Sequence, residues 1–332
     1  MSDVAHYRRI LRLADLVTPM AIRTAVTLRI ADHIGDTERS TAELAKLTDT
    51  HPRPLRKLLN HLVSLNLLRR TGDAYGLTEL GAVLRTGPSS PFAHLNLDGI
   101  VGRTELSVIH LLHKLRTGKS VYHGMYGTDL WQYVDEHNGA QDAAAAYPQS
   151  GPAFDIHLII DHPCWSRAGT FVDVGGNTGA LVESLLAAYP RLRGTLIDLP
   201  TFAEQARRRF TEHNLSDRAT AIGQSFFDPL PAGADVYVLS AILADWDDDS
   251  AIRLLRNCAA AAGTNGTILV SEVRLTEQLE RSDTGMALWV EASMENPDRT
   301  AADISMLAER AGLCVTDVRE AATRIALELR VQ

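Results

Sequence analysis

The segment DVGGNTG, residues 173–179, places three glycines directly after a short apolar run. Gly175, Gly176 and Gly179 allow a sharp turn and let a ligand approach the backbone closely. Asp198 ends the next apolar run, 19 residues after Gly179, and a carboxylate there could accept both hydroxyls of a ribose. The spacing therefore predicts a nucleoside-binding turn between a strand and a helix.

The residue ahead of this turn distinguishes two cofactor classes. Asp173 would repel the pyrophosphate of a dinucleotide, whereas S-adenosylmethionine carries an ammonium group that a carboxylate attracts. The loop also opens the second half of the chain rather than the first. The sequence therefore favours S-adenosylmethionine over a nicotinamide cofactor; a tight turn without a ligand is the remaining alternative.

Bulk composition limits the classes of protein that fit. The chain has 332 residues, 45% of them hydrophobic, and a formal net charge of −8, which suggests two globular domains and disfavours constitutive binding to nucleic acid. Three cysteines without CxxC spacing indicate reduced thiols. The sequence shows neither an apolar run of about 20 residues nor a signal-peptide core. We therefore expect a soluble cytoplasmic protein with no membrane contact.

Residues 1–92 are expected to form a mostly helical winged-helix domain. Thr18-Pro19 favours a helix start, Ser40 and Glu43 form a capping-box pattern, and residues 68–81 predict a hairpin turning at Gly72-Asp73. This domain could pair two subunits, or its second helix could bind DNA. The residues that would face DNA are Arg53, Arg56, Lys57, Asn60 and His61. The overall acidity favours subunit pairing over a ligand-responsive regulator.

Residues 93–165 are expected to form a helical linker and residues 166–332 an α/β domain. From Thr170 onward strand and helix patterns alternate, which is typical of a parallel sheet covered by helices on both faces. The final run, RIALELRV, alternates polar and apolar residues and predicts an antiparallel edge strand. The expected fold class is α/β with a Rossmann-like domain.

Several motifs together resemble the small-molecule O-methyltransferases of plants and actinomycetes, especially bacterial natural-product members. The motifs are GTDLWQYV, FVDVGGNTG, LIDLP, GQSFFDPLPAGAD, LSAILADWDDDSAIRLL and NPDRT. The resemblance spans nearly the whole chain. It implies a winged-helix dimerisation domain, a homodimer, S-adenosylmethionine as cofactor and a small-molecule substrate in secondary metabolism.

The resemblance also implies cofactor contacts beyond the glycine turn. Asp198 would bind the ribose and Leu199 the adenine. A wall around the adenine would be completed by Ser225, Phe226, Ser240 and Trp246. These residues join Asp173, Gly175, Gly176 and Gly179 in the predicted cofactor site.

The family's general base is a His directly before Asp-Trp, and Ala244 stands there, followed by Asp245 and Trp246. An alanine methyl cannot accept a proton. Glu272 matches one carboxylate that would orient the base, and Asp298 matches the other with a shorter side chain. Asp245, Glu272 or His157 could take over the base role. Alternatively, the acceptor is already nucleophilic, or the enzyme uses the bound cofactor without transferring its methyl group.

A substrate pocket is expected from bulky residues of the linker and of the α/β domain. These are Met125, Trp131, His157, Met286 and Trp289, each of which could instead fill the core. His110 and His113 are assigned to a helix face, and Asp247–Asp249 to the start of a helix, so no metal site is expected. The leading hypothesis is methyl transfer to a small aromatic or polyketide-like metabolite. A cofactor-binding hydroxylase, decarboxylase or rearrangement catalyst is the alternative.

Overall fold

The structure, a computed structural model, describes residues 2–87, 90–128, 130–137, 155–274 and 283–332. The chain divides into two compact units, Met1–Arg103 and Thr104–Gln332. The division falls inside one short helix, and each unit has its own core.

The N-terminal unit packs helices around a small antiparallel sheet with strand order β1-β3-β2. Its elements are α1 (Ser2–Leu13), α2 (Val17–Thr27), α3 (Ile30–Ile34), β1 (Arg39–Ser40), α4 (Thr41–Leu47), α5 (Pro52–Ser64), β2 (Leu68–Thr71), β3 (Ala74–Leu77), α6 (Glu79–Ala82) and α7 (Phe92–Leu95). The predicted capping box at Ser40 and Glu43 is present, and so is the predicted hairpin. Arg29, with φ of 52°, separates α2 from α3.

Short helices lead into the α/β sheet. They are α8 (Ile100–Glu105), the 3-10 helix η1 (Leu106–His110), α9 (Leu111–Thr117), α10 (Tyr122–Tyr126), α11 (Leu130–Glu136), α12 (His157–Ile160) and the 3-10 helix η2 (Pro163–Ser166). Gly118 and Gly127 both have positive φ and end α9 and α10, as expected for helix C-termini.

The large sheet has seven strands among the described residues, in the order β6-β5-β4-β7-β8-β10-β9. The strands are β4 (Thr170–Val174), β5 (Arg193–Asp198), β6 (Ala219–Gly223), β7 (Val236–Ser240), β8 (Thr267–Val273), β9 (Leu313–Glu320) and β10 (Arg324–Val331). The first five in spatial order are parallel. The prediction that the last strand is antiparallel is confirmed, but the prediction that it is an edge is wrong. β10 lies between β8 and β9, and β9 forms the edge.

Helices cover both faces of this sheet, as the alternation predicted. They are α13 (Ala180–Ala188), α14 (Pro200–Glu212), the 3-10 helix η3 (Leu243–Asp245), α15 (Asp248–Ala262), α16 (Thr284–Ser293) and α17 (Ala301–Arg310). α13 and α14 pack into one apolar cluster, and α15 and α17 into another. The chain goes from β4 outward to β6 and returns to β7 on the other side of β4. Ligands of such sheets bind at the carboxyl ends of the strands beside this reversal.

Candidate active site

The three glycines after β4 are required for different reasons. Gly175 has φ of 76°, and a Cβ there would lie 2.5 Å from Cδ1 of Ile242. At Gly176 a Cβ would lie 2.6 Å from Oδ2 of Asp173. At Gly179 it would lie 2.6 Å from the ring of Phe210. Each glycine therefore leaves no room for a side chain, and Ile242 joins the turn to the segment that follows β7.

Asp198, at the end of β5, holds this turn. Its carboxylate accepts hydrogen bonds from the backbone N–H of Asn177 and of Leu199, both at 2.7 Å. A carboxylate has about four lone-pair sites, so two remain for further donors. Burial raises the pKa of Asp198 to about 7, against the effect of these two backbone bonds. The remaining acceptor capacity fits the two hydroxyls of a ribose.

Asp173 lies at the end of β4, behind the turn. It is 1% exposed, and its Oδ2 atom is buried with no hydrogen-bond partner among the described residues. Burial, and then the charge of Asp198, raise the pKa of Asp173 to about 8. A buried carboxylate oxygen without a donor fits a cationic group, as the sequence predicted for the ammonium of S-adenosylmethionine.

An aromatic wall stands beside the glycine turn. Phe226 and Phe227 both meet Trp246 edge to face, with ring centroids 5.7 and 4.8 Å away. The Phe226 ring also lies 3.5 Å from the position of a Cβ on Gly175. The Oγ atom of Ser225 accepts the N–H of Phe227 and shapes this loop. The predicted wall residues Phe226 and Trp246 thus lie together, next to the turn.

Ser240 and Leu199 were also predicted to contact the cofactor. Leu199 is half-buried and begins α14 as its N-cap. Ser240 ends β7, is 9% exposed, and accepts a hydrogen bond from Nη1 of Arg324 at 3.1 Å. Their contact with a cofactor stays a prediction.

The segment that carries the base position is fixed by its backbone. Ala244 is 5% exposed, and its carbonyl accepts the N–H of Asn296 at 2.8 Å. The buried Arg299 donates to the carbonyls of Leu243 and Trp246 at 3.0 and 2.7 Å. The residues after α16 therefore hold the 243–246 turn by its carbonyl groups.

Glu272, on β8, holds the start of the same turn by its backbone N–H groups. Its Oε1 atom accepts the N–H groups of Ile242 and Leu243 at 3.2 and 2.9 Å. Oε2 is buried without a hydrogen-bond partner among the described residues. Burial raises the pKa of Glu272 to about 7, opposed by these amides and by the charge of Arg324. Asp298, the second carboxylate predicted to orient the base, is exposed.

Asp245 is the carboxylate beside the base position. It is half-buried, and its Oδ2 accepts the indole N–H of Trp131 at 3.1 Å. Burial, and then the charge of Glu272, raise the pKa of Asp245 to about 7. Trp131 also packs edge to face on Phe202 of α14. The structure thus brings two predicted residues together, one from α11 and one from η3.

The other predicted pocket residues are more scattered. Met125 and Trp289 are half-buried, and Met286 is 45% exposed. The His157 side chain is 59% exposed, with Nδ1 3.9 Å from Oδ1 of Asp155. Exposure on α12 argues against His157 as the replacement base, and the pocket assignments stay predictions.

Sequence patterns missed the residues that support the site. Asn296 and Arg299 lie on either side of the predicted Asp298 in the NPDRT motif. The motif therefore indicated the correct segment, but not the two residues that bond to the 243–246 turn. The alternating pattern of RIALELRV predicts a strand, but it does not indicate that Arg324, its first residue, is a buried cation. The predicted helix start at Asp247 is confirmed, since its carboxylate accepts the N–H of Ser250.

Comparisons with known proteins define the class. Residues 109–314 match the O-methyltransferase domain family, and residues 11–87 match the O-methyltransferase dimerisation domain. The chain belongs to the O-methyltransferase family, and it is an S-adenosylmethionine-dependent methyltransferase with a Rossmann-like fold. The second match supports subunit association as the role of the N-terminal domain, as the sequence favoured; the absence of nucleic-acid binding stays a prediction.

Individual relatives agree with this class. A 2,7-dihydroxy-5-methyl-1-naphthoate 7-O-methyltransferase of Streptomyces carzinostaticus is 42% identical over 91% of this chain and 91% of its own. Aclacinomycin 10-hydroxylase RdmB of Streptomyces purpurascens is 36% identical over 92% and 84%. The crystal structure of the O-methyltransferase NcsB1 from neocarzinostatin biosynthesis, in complex with S-adenosyl-L-homocysteine, matches with a TM-score of 0.84. Its identity is 39%, over 96% of this chain and 99% of that one.

The described residues hold no group of three or more His, Cys, Asp or Glu side chains arranged to bind a metal ion. Within the same ranges, every helix is too short or too polar to cross a bilayer.

Proposed function

We propose that this chain transfers a methyl group to a hydroxyl of a small aromatic or polyketide-like metabolite in natural-product biosynthesis. The observation that carries the proposal is the set of residues that can hold the cofactor, namely Asp173, the glycine turn and Asp198. These residues lie next to the base position, which Ala244 occupies. The 7-O-methylation of a hydroxynaphthoate named for the 42% identical relative supports a hydroxyl on an aromatic ring as the acceptor class.

The cofactor residues have separate tasks in this proposal. Asp198 accepts the ribose hydroxyls, Asp173 faces the cationic end, and Phe226 and Trp246 flank the adenine with Leu199. When bound, S-adenosylmethionine supplies a methyl group on a positively charged sulfonium. The chain itself orients the two reactants and excludes water from between them.

Asp245 is the proton acceptor in this proposal. It adjoins Ala244, it is half-buried rather than enclosed, and Trp131 engages only one of its two oxygens. Its raised pKa suits a base that works near neutral pH. The acceptor oxygen gains the methyl group while its proton passes to the Asp245 carboxylate.

An isosteric variant tests this assignment. Asp245→Asn keeps an oxygen for the Trp131 N–H but removes the proton acceptor, so kcat for phenol methylation should fall about 10² to 10⁴-fold. The affinity for S-adenosylmethionine, measured by calorimetry, should change far less than kcat. Asp249→Asn, at an exposed residue of α15, is the control. A kcat within threefold of the unmodified enzyme would rule out Asp245 as the base.

A non-methylating activity is the second candidate, favoured by Ala244 together with the 36% identical hydroxylase. There the positive charge of the bound cofactor would act electrostatically. Counting S-adenosylhomocysteine released per product molecule separates the two. One per turnover supports methyl transfer, and product without S-adenosylhomocysteine supports the alternative.

We also propose that the chain forms a homodimer through its N-terminal unit. Apolar side chains on α1 and at the start of α2 are more than half exposed: Val4, Tyr7, Ile10, Leu11, Leu13, Leu16 and Val17. An apolar surface of this kind marks an association site. Light scattering should give twice the chain mass, and Ile10→Asp with Leu13→Asp should halve it.

A further inference from the structure

The turn that carries the proposed base begins with a strained residue. Ala241, directly after β7, has φ of 57°, a conformation that costs a non-glycine residue of order 1 kcal/mol or more. Its N–H still bonds the carbonyl of Ser271 at 2.8 Å, so the sheet is regular up to this residue. Such strain persists only where the surroundings fix the chain on both sides.

Arg324 fixes the side before the kink. The residue is fully buried, and its Nη1 donates to Oγ of Ser240 at 3.1 Å and to Oγ of Ser271 at 3.3 Å. Ser240 and Ser271 are register partners at the carboxyl ends of β7 and β8. One guanidinium from β10 therefore joins the ends of the two strands that lead into the site.

Glu272 fixes the side after the kink. It follows Ser271 on β8 and accepts the N–H groups of Ile242 and Leu243. The charges of Arg324 and Glu272 attract each other in this buried region. An ionised buried group needs such a partner. The strained residue is therefore enclosed by one charge-balanced unit built from β8 and β10.

We propose that Arg324 is a positioning residue of the methyl transfer, which holds Ser240 and balances Glu272 so that the 241–245 turn presents Asp245 to Trp131. This inference deepens the proposed function and rests on it for its effect on rate. The placement of Asp245 against Trp131 can be measured without any substrate.

The indole N–H of Trp131 reports that placement. The chain has four tryptophans, so a spectrum of ¹⁵N-labelled indoles has four signals, and Trp131→Phe identifies the relevant one. In Arg324→Met that signal should move and gain hydrogen exchange, because Asp245 no longer faces it. The signal of Trp165, which donates to the carbonyl of Ile159, should stay in place.

Kinetics give the second readout. Arg324→Met should lower kcat about 10²-fold and leave KM for the acceptor within threefold, because the proton acceptor moves and the acceptor pocket does not. Arg324→Lys, which keeps a charge and a donor for Ser240, should recover at least part of kcat. Arg218→Met, which removes bonds to the carbonyls of Leu186 and Pro190, controls for a general loss of stability.

A double variant separates charge balance from other effects. Arg324→Met with Glu272→Gln should lose less unfolding free energy than the sum of the two single losses, because no buried charge is left unbalanced. If Arg324→Met is not folded, Arg324→Lys and Ser240→Ala carry the spectral test. An unmoved Trp131 signal in all folded variants overturns the proposal, whereas an enzyme that makes no methylated product overturns only the proposed function.

Discussion

At the scale of single residues, two glycines with nearly the same φ allow the cost of backbone strain to be measured apart from the cost of a packing clash. Gly179 has φ of 85° and Gly233 has φ of 86°, but a Cβ at Gly179 meets Phe210, whereas at Gly233 nothing lies within 4 Å. Gly233→Ala should therefore lose about 1 kcal/mol of unfolding free energy, and Gly179→Ala about 1–3 kcal/mol more. Chemical denaturation of both variants measures the difference. Equal losses would mean that α14 does not pack on the turn as described.

Ala244 offers a second test at this scale. An imidazole at this position would lie near Glu272, whose buried Oε2 lacks a hydrogen-bond donor among the described residues. We expect Ala244→His to raise the rate with weakly acidic phenols about 10-fold or more, and to flatten the dependence of rate on phenol pKa. Ala244→His with Glu272→Gln should lose the gain. No gain with any phenol would indicate that the turn cannot seat the ring.

The sequence located the residues that are proposed to contact the cofactor better than the residues that support them. Asp173, Gly175 and Asp198 follow a local spacing rule that a single sequence displays. Arg324 acts across three strands, and no local spacing connects it to Ser240 or Glu272. Its position could be found only once the order of the strands was known.

At the scale of secondary-structure elements, alternation of strand and helix predicted the α/β fold but missed two strands. β6 (Ala219–Gly223) is short and largely exposed, so it has little apolar pattern. β9 (Leu313–Glu320) is an edge strand with alternating exposure, and its polar residues resemble a loop. Because β9 was missed, the final strand was placed at the edge that β9 occupies.

Lys114 connects helix α9 to the segment after α16. It is 3% exposed, and its Nζ donates to the carbonyls of Gly118, Met294 and Glu295 at 3.1, 3.1 and 2.8 Å. The next residue in that segment, Asn296, donates to the carbonyl of Ala244. Lys114 therefore supports the base position indirectly, through the segment that contains Met294, Glu295 and Asn296.

Lys114→Met should lower the free energy of unfolding by about 2–3 kcal/mol, because three carbonyls lose a charged donor from a buried side chain. The kcat of the remaining folded enzyme should also fall, since Asn296 becomes less well placed. Arg116→Met, at an exposed residue of the same helix, should change neither. Denaturant titration and active-site-normalised rates measure both effects; a stable variant with reduced kcat would limit Lys114 to positioning.

At the scale of the whole molecule, the fold concentrates carboxyl groups with raised pKa values at one edge of the sheet. Asp173, Asp198, Asp245 and Glu272 follow or end β4, β5, β7 and β8, and burial raises the pKa of all four to about 7 or 8. In the ligand-free protein, burial therefore favours the protonated form of these groups, least of all for Glu272, where the charge of Arg324 opposes it. A ligand with an ammonium and a sulfonium group reverses that preference.

The ligand-free protein should therefore lose stability as the pH rises. Each group has a higher pKa folded than unfolded, so its contribution is fully present below about pH 4 and is lost by about pH 8. His162 opposes this trend, because burial lowers its pKa and its contribution grows up to about pH 6.5. Denaturation from pH 5 to pH 9 measures the slope. Asp173→Asn should flatten it by up to about 1.4 kcal/mol per pH unit.

Cofactor binding should show the opposite dependence on pH. Because the cationic ligand favours ionised carboxylates, its Kd should fall as the pH rises toward 8, and binding at pH 6.5 should release protons. Calorimetry in two buffers with different ionisation enthalpies counts those protons. Asp173→Asn should release fewer and bind more weakly. Proton uptake, or a Kd that does not depend on pH, would mean that the carboxyls at this edge stay protonated around the ligand.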